Sequence, residues 1–596
     1  MKQLSDHLFW VKDTCSVYGV ITDGGALLID CGTHFPAGDP LPRLPRVERV
    51  LLTHFHRDQC AAAPDWSRQG ARIVVPFAER RFLEEADLQR ASYDIHDNYE
   101  SYYPCFSPLE DLGSADSAVD YETLHWRGYS FRAIPLPGHT FGSVGYLFEV
   151  DGQRILACGD LLSAAGSIRD YYWTQWRYMD FQGHLNLLES LETVSNLDLD
   201  LILPGHGPPF KPDAPALQQL RDRLAEIWEL FRNQPYEPFR PTFRRLSPHV
   251  WEITNVQACP YIVTDDDGHG LFIDCGYTSQ APIGGGPHRF IDRLTPWLEP
   301  ELGLSQIEYF LPTHYHDDHL AGYPALKARY DTKVVASSRV ADLLRHPERY
   351  DMPCAVPFGI ELESSVEPGE PFEWRGTRFL IEPRPGQTLY DQHIRFDIDD
   401  RRYLAIGDAI SGIPFREQRD YIHSFIPKNR TPLSEYGAIP RLIAAERPDM
   451  LLTGHGGAVD FDESLFARWT DWMDRWQELF TSVSDRPHPN LAMDPRWIEF
   501  YPYKLRVRPG ETHTFHIWVT NHEAAARTCE MVIRSVEGVI VEPPQLNELV
   551  QPQAKAVFEI RVRFPETFQT HSLPLLADVT WGGERLGEIA EAIAYW

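Results

Sequence analysis

Two hydrophobic patterns alternate along most of this chain. Short apolar runs bounded by polar residues read as buried strands: 47–53 and 307–313, 154–158 and 402–406, 201–203 and 450–452. Elsewhere apolar residues return at intervals of three and four, the spacing of an amphipathic helix face. Leu217, Leu220, Leu224, Ile227 and Phe231 form one such stripe, and Phe466, Trp469, Met473, Trp476 and Phe480 another. Both are expected to pack into a core. After residue 485 the period changes to two. The stretches 503–508, 512–521, 529–535, 554–564 and 573–581 read as strands of a β-sandwich of about 100 residues. The polar segment 484–490, which holds Pro487 and Pro489, reads as a linker. A chain ending near Val483 is therefore expected to stay folded and keep its ligands.

The strands of the first four fifths carry a histidine–aspartate signature that is written twice. Thr-His-Phe-His-Arg-Asp-Gln occupies 53–59, and Thr-His-Tyr-His-Asp-Asp-His occupies 313–319. Each copy is followed by a Pro-Gly-(His/Gln)-Thr turn, a strand ending in Gly-Asp and a strand ending in Gly-His-Gly. These supply His139, Asp160 and His206 in the first set, and Gln387, Asp408 and His455 in the second. The interval from 139 to 160 is 21 residues, as is that from 387 to 408, and the next intervals are 46 and 47. The openings match too, Leu-Leu-Ile-Asp-Cys-Gly at 27–32 against Leu-Phe-Ile-Asp-Cys-Gly at 271–276. Two ordered sets at nearly equal spacing point to a duplication with two related metal sites. Each candidate ligand falls just past a strand end, where the sheet fixes the backbone and a loop aims the side chain. Imidazole and carboxylate together suit zinc, and also iron or manganese.

These motifs resemble the metallo-β-lactamase-fold hydrolase superfamily, whose pattern is His-x-His-x-Asp-His, Pro-Gly-His-Thr, Gly-Asp and Gly-His. The resemblance implies two tandem αββα sandwiches; with the C-terminal strands the expected fold is α/β, two such sandwiches followed by an all-β sandwich, with boundaries at 1–235, 240–483 and 491–596. It implies that His54, His56 and His139 hold a first metal, that Asp58 and His206 hold a second, and that Asp160 bridges them. In the second unit His314 and His316 belong to the first site, Asp318, His319 and His455 to the second, and Asp408 bridges. Two zinc ions per active unit are the implied cofactors, with iron or manganese left open. Two departures stand out: Gln59 replaces a histidine of the second site, and Gln387 replaces the third imidazole of the other unit. Unit one is thus expected to favour the three-histidine position and unit two the Asp/His position. His393, six residues past Gln387, is a substitute ligand or, by default, a surface or core histidine. The C-terminal stretch loosely resembles immunoglobulin or fibronectin type III modules and reads as a packing or assembly module, with carbohydrate or protein binding as the alternative.

Charge bears on the partners. The net charge of −30 argues against a phosphate-backbone partner, so a small-molecule substrate and no nucleic acid are expected. No apolar run reaches membrane-spanning length and the start carries no secretion signal, so no membrane partner is expected. Nine cysteines, scattered and odd in number, suit the cytoplasm. Cys31 and Cys275 are read as buried, and Cys60 and Cys158, although beside candidate ligands, stay outside the ligand set. Oligomeric state stays open.

Two stretches are expected to shape the first pocket: 94–112, with Tyr99, Tyr102, Tyr103 and Phe106, and 169–178, where Arg169 or Arg177 can polarise a carbonyl. Unit two offers Arg416, Arg419, Tyr421, His423 and Lys428. The expected function is metal-dependent hydrolysis, with metal-bound hydroxide attacking an ester, thioester, lactone or amide and Asp58, or Asp318, as the base. The alternatives are a mononuclear iron oxygenase of the persulfide dioxygenase type and a non-catalytic metal-binding scaffold. Catalysis is expected in unit one.

Overall fold

The computed structural model describes the chain outside residues 34–43, 93–105, 114, 175, 177–181, 233–234, 238–239, 257, 277–289, 357, 385, 412–421, 424, 484–487, 489, 492–493, 495, 569 and 571. Tyr99, Tyr102, Tyr103, Arg177, Tyr178, Arg416, Arg419 and Tyr421, and the His423 side chain, lie outside the described residues. Two compact units emerge: Met1–Arg240 with Ser279–Pro296 and Pro324–Arg329, and Pro241–Thr278 with Trp297–Tyr323 and Tyr330–Trp596.

The first unit is built on two sheets. One has seven strands in sequence order from Lys2–Gln3 to Asp116–Ala118, and the other has five, in the order Leu201–Pro204, Gln153–Gly159, Val144–Val150, Tyr129–Pro135, Thr123–Trp126. Tyr18, Val20, Leu27, Leu51, Phe131, Tyr146 and Ile155 fill the space between them. Helices cover both outer faces. Trp66, Phe82 and Leu83 pack on the first sheet, while Leu187, Leu191, Leu217, Leu220 and Leu224 pack on the second. The layers therefore run helix, sheet, sheet, helix, with apolar side chains removed from water at three interfaces. The helix Ala214–Arg232 buries Leu217, Leu220, Leu224 and Trp228, whereas Phe231 at its end is 61% exposed. Its apolar stripe is thus one turn shorter than the spacing implies.

The second unit repeats this order. A seven-stranded sheet runs from Phe243–Ser247 to Ser364–Val366, and a six-stranded one runs from Pro371–Trp374 to Ala458–Asp460. Helices Leu433–Glu446 and Glu463–Val483 lie against the latter through Tyr436, Ile439, Phe466, Trp469 and Met473. The same unit includes two C-terminal sheets of four and five strands that share one core of Phe515, Ile517, Ile560, Met531, Leu575 and Val579. The five strands read from the sequence are present at nearly the expected bounds. Ile498–Tyr501, Ile540–Glu542, Gln545–Val550 and Glu584–Tyr595 are additional. The last, rich in Ala and Glu, looks helical by propensity, but its pairing along Ser572–Trp581 makes it a strand. Among the described residues no helix is long and apolar enough to cross a membrane.

Candidate metal centres

In both halves a buried aspartate at a strand end organises the histidine loop. Asp30 follows Gly25–Ile29 with φ 56°, and Asp274 follows His269–Ile273 with φ 57°. Asp30 accepts from the Thr53 N–H at 2.8 Å and from the Thr53 hydroxyl. Asp274 accepts from Thr313 at 2.7 Å in the same two ways. Each threonine oxygen lies 3.1 Å from Nδ1 of the next histidine, His54 or His314. With the hydroxyl proton committed to the aspartate, Nδ1–H donates to the threonine and Nε2 is left as a bare lone pair. Nε2 of His54 and of His314 is buried without a hydrogen-bond partner. A cation is the group such a nitrogen lacks.

Gly159 and Gly407 end the strands that present the bridging carboxylates. Their φ values are 52° and 50°, and a Cβ on either would fall 3.0 Å or less from Thr53 or Thr313. Glycine alone admits this backbone so close to the histidine loop.

The first centre brings together every candidate ligand of its half. His54, His56 and His139 have ligand atoms within 4.8 Å of one another, and so do Asp58, Asp160 and His206. Asp160 Oδ2 faces both groups, at 3.4 Å from His139 Nε2, 3.9 Å from His54 Nε2 and 3.3 Å from His206 Nε2. His56 Nδ1 lies 3.0 Å from His139 Nε2. Burial pushes the His54 pKa down to about 4 and lowers those of His56 and His139, so all three are neutral donors at neutral pH. Burial opposes charge on His206 as well, but the hydrogen bonds it donates to Asp160 and Asp58 outweigh it and lift the pKa to about 9. Two carboxylates thus already hold positive charge at this position. Three neutral imidazoles and a carboxylate pair fit one or two metal ions.

Gln59 is fully buried, and its Nε2 donates to Asp160 Oδ1 at 2.9 Å while lying 3.2 Å from His206 Nε2. It presents an N–H, which repels a cation. His319 takes the corresponding place in the other half, with Nδ1 2.9 Å from Asp274 Oδ2 and Nε2 3.3 Å from Asp408 Oδ1.

The second half forms two groups, Asp318, His319, Asp408 and His455, and His314, His316 and Asp408. His455 Nε2 is 3.2 Å from both Asp318 and Asp408, and the charge and hydrogen bonds of these carboxylates raise its pKa to about 10 although burial opposes them. Gln387 donates to Asp408 Oδ2 at 3.3 Å and accepts from Asn429 Nδ2 at 3.4 Å. His393 joins neither group. It is buried on Gln392–Ile398 and lines a cavity of about 140 Å³ with Arg384, Arg395 and Glu446.

Several residues beside the centres have no role that the motifs assign. Glu79 accepts from the Phe55 N–H at 2.7 Å and the Gly142 N–H at 3.0 Å, tying the His54–His56 loop to the His139 turn. Trp173 and Phe106 wall one side, with ring centroids 4.8 Å and 5.7 Å from that of His56. Asp30 and Asp274 do carry a legible signal, the repeated Ile-Asp-Cys-Gly. Cys158 packs among the outer leucines, with burial raising its pKa to about 12, and Cys60 is buried. Neither enters a ligand group among the described residues.

Comparison with known proteins places this geometry. A 144-residue segment is 26% identical to an RNase J-like protein of Methanocaldococcus jannaschii, covering 24% of this chain and 32% of that one. A 162-residue segment is 32% identical to a hydroxyacylglutathione hydrolase of Acidiphilium cryptum, covering 27% and 51%. A 156-residue segment is 28% identical to endoribonuclease ysh-1 of Neurospora crassa, covering 23% and 18%. The chain thus spans about half or less of the length of each of these relatives. Relatives named as ribonucleases overturn the exclusion of nucleic acid drawn from charge. A net charge is summed over the whole surface and does not fix the local field at a cleft that gathers cations. The sequence model of the metallo-beta-lactamase superfamily, a family of metal-dependent hydrolases, matches residues 10–206 and again 255–455. The chain belongs to that superfamily.

Proposed function

We propose that the first half is the principal catalytic centre of a metal-dependent hydrolase that cleaves an ester, thioester, lactone or amide. The observation that supports this most is the convergence of three neutral imidazoles, His54, His56 and His139, on the Asp160 carboxylate with Asp58 at the rim. His54, His56 and His139 would hold the first metal, zinc before iron or manganese, and Asp58, Asp160 and His206 a second. Bound there, a metal ion supplies Lewis acidity and lowers the pKa of water from 15.7 towards ~7. Asp58 Oδ2, 2.9 Å from His206 Nε2 in this structure, accepts the proton of the attacking water. Trp173 and Phe106 offer an apolar surface to the acyl portion. Asp318 is the matching base in the second half, which we read as the weaker centre because Gln387 stands where its third imidazole would be. We attribute the two halves to tandem duplication. The described cysteines are unpaired, which supports a reducing compartment such as the cytoplasm.

Relatives named hydroxyacylglutathione hydrolase favour an acyl substrate, and those named endoribonuclease a phosphodiester. The test is metal analysis of the purified chain, then a screen of esters, thioesters, lactones, amides and RNA with His54→Ala as control. Zinc with acyl hydrolysis lost in the variant is the expected result. Phosphodiester cleavage alone replaces the substrate class, a single iron with oxygen consumption replaces the reaction, and absence of metal leaves a scaffold.

A further inference from the structure

The second centre is braced from the C-terminal module. Arg430 follows the turn Pro427–Asn429 with φ 63° and is 7% exposed. Its Nη1 donates to Glu499 Oε2 at 2.7 Å, its Nε to Asp494 Oδ1 at 3.2 Å and its Nη2 to the Arg496 carbonyl at 3.1 Å. Glu499 lies on Ile498–Tyr501, the first strand of the module, and Asp494 is held in turn by His522 Nε2 at 3.2 Å. Apart from a 4.0 Å contact of Nη1 with Met352 Sδ, the planar fork is spent on this one side, a geometry a lysine cannot reproduce.

The residues flanking Arg430 face the other way. Asn429 donates to Gln387 Oε1 at 3.4 Å. Thr431 Oγ1 donates to the Gln387 carbonyl at 3.2 Å. Gln387 in turn contacts Asp408. An aromatic series runs parallel: Tyr315, between two candidate ligands, meets Tyr390, which meets Tyr350, which meets Tyr501 of the module at 5.5 Å. Tyr350 and Tyr501 both donate to Asp342 Oδ2, at 2.7 and 2.6 Å. Where a neutral amide replaces the third imidazole, something must fix how that amide lies, and Asn429 does so only if its turn is held.

We propose that the C-terminal module is a positioning element of the second metal centre, with Arg430 the residue that transmits its docking to Asn429, Gln387 and Asp408. This rests on reading that cluster as a metal centre. The experiment uses the full chain with His54→Ala, His56→Ala and Asp160→Ala, which breaks both ligand groups of the first centre, so that Co²⁺ absorption reports the second centre. Arg430→Met, Arg430→Lys and Glu499→Gln are compared on that background. Arg430→Met is expected to speed amide exchange in 426–433 of the metal-free chain by about 10-fold and to weaken Co²⁺ binding by about 10-fold. Glu499→Gln is expected to move both in the same direction by less, and Arg430→Lys to rescue only part. If the background chain binds Co²⁺ and Arg430→Met, still folded, matches it in affinity and exchange, this inference falls alone. If Arg430→Met does not fold, Glu499→Gln decides, and unchanged values for it overturn the proposal. If the background chain binds no Co²⁺, the reading of the centre falls and the proposal with it.

Discussion

Gln59 donates a 2.9 Å hydrogen bond to the bridging carboxylate Asp160, at the place where the other half presents His319 to Asp408. One residue type thus separates a position that offers a cation an N–H from one that offers it a lone pair.

Gln59→His is accordingly expected to complete the second position of the first centre. The support for the new ring is already present: Asp274 accepts from His319 Nδ1 at 2.9 Å, and Asp30 occupies the corresponding strand end. Metal titration should find the second ion of this centre bound about 10-fold more tightly in the variant than in the parent. Equal affinity would show that Gln59 does not limit the site.

Ligand order and strand ends are legible in the sequence because they follow from local patterning, each histidine or aspartate coming directly after an apolar run. The role of Asp30 is not, because it depends on a parallel neighbour, Val47–Leu51, bringing Thr53 alongside. Arg430 gives no signal because its partners lie some sixty residues on. The strand Glu584–Tyr595 escapes a reading by pattern because pairing overrides the composition of an Ala- and Glu-rich segment.

Loss of ligands should separate the two halves. His139 sits within both hydrogen-bond reach of His56 and 3.4 Å of Asp160, so His139→Ala removes one of three imidazoles. Steady-state rates on the best substrate should fall by about 10-fold or more, while His455→Ala changes them far less. The reverse ranking would move catalysis to the second half.

Acid should weaken the second unit through His393. Burial, with Arg384 adding to it, holds this imidazole at about 3 in the folded chain against an ordinary 6.5. The unfolded chain therefore binds the proton first as pH falls, so this contribution to stability is complete above 6.5 and declines towards 3. Between pH 6.5 and 5 the loss is about 2 kcal/mol at most. Urea midpoints of His393→Gln should fall less over that interval than those of the parent, and parallel falls would exclude His393 as the cause.

A chain ending near Val483, which the polar linker makes an attractive boundary, should not behave as an independent two-centre protein. Ending there removes Glu499, Asp494 and the Arg496 carbonyl from Arg430, Tyr501 from Tyr350 and Asp342, and the Asn490 side chain from the Leu433 N–H. Arg430 would be left without its fork of acceptors beside newly exposed Tyr350 and Tyr390, an apolar surface that favours association. The first centre loses nothing by this cut, because its ligands and their hydrogen-bond partners all lie before residue 207. The truncated chain is therefore expected to retain metal at the first centre, to bind Co²⁺ about 10-fold more weakly at the second, and to self-associate in sedimentation. A monomeric truncation with both centres at full affinity would show that the C-terminal module is dispensable to the fold it follows.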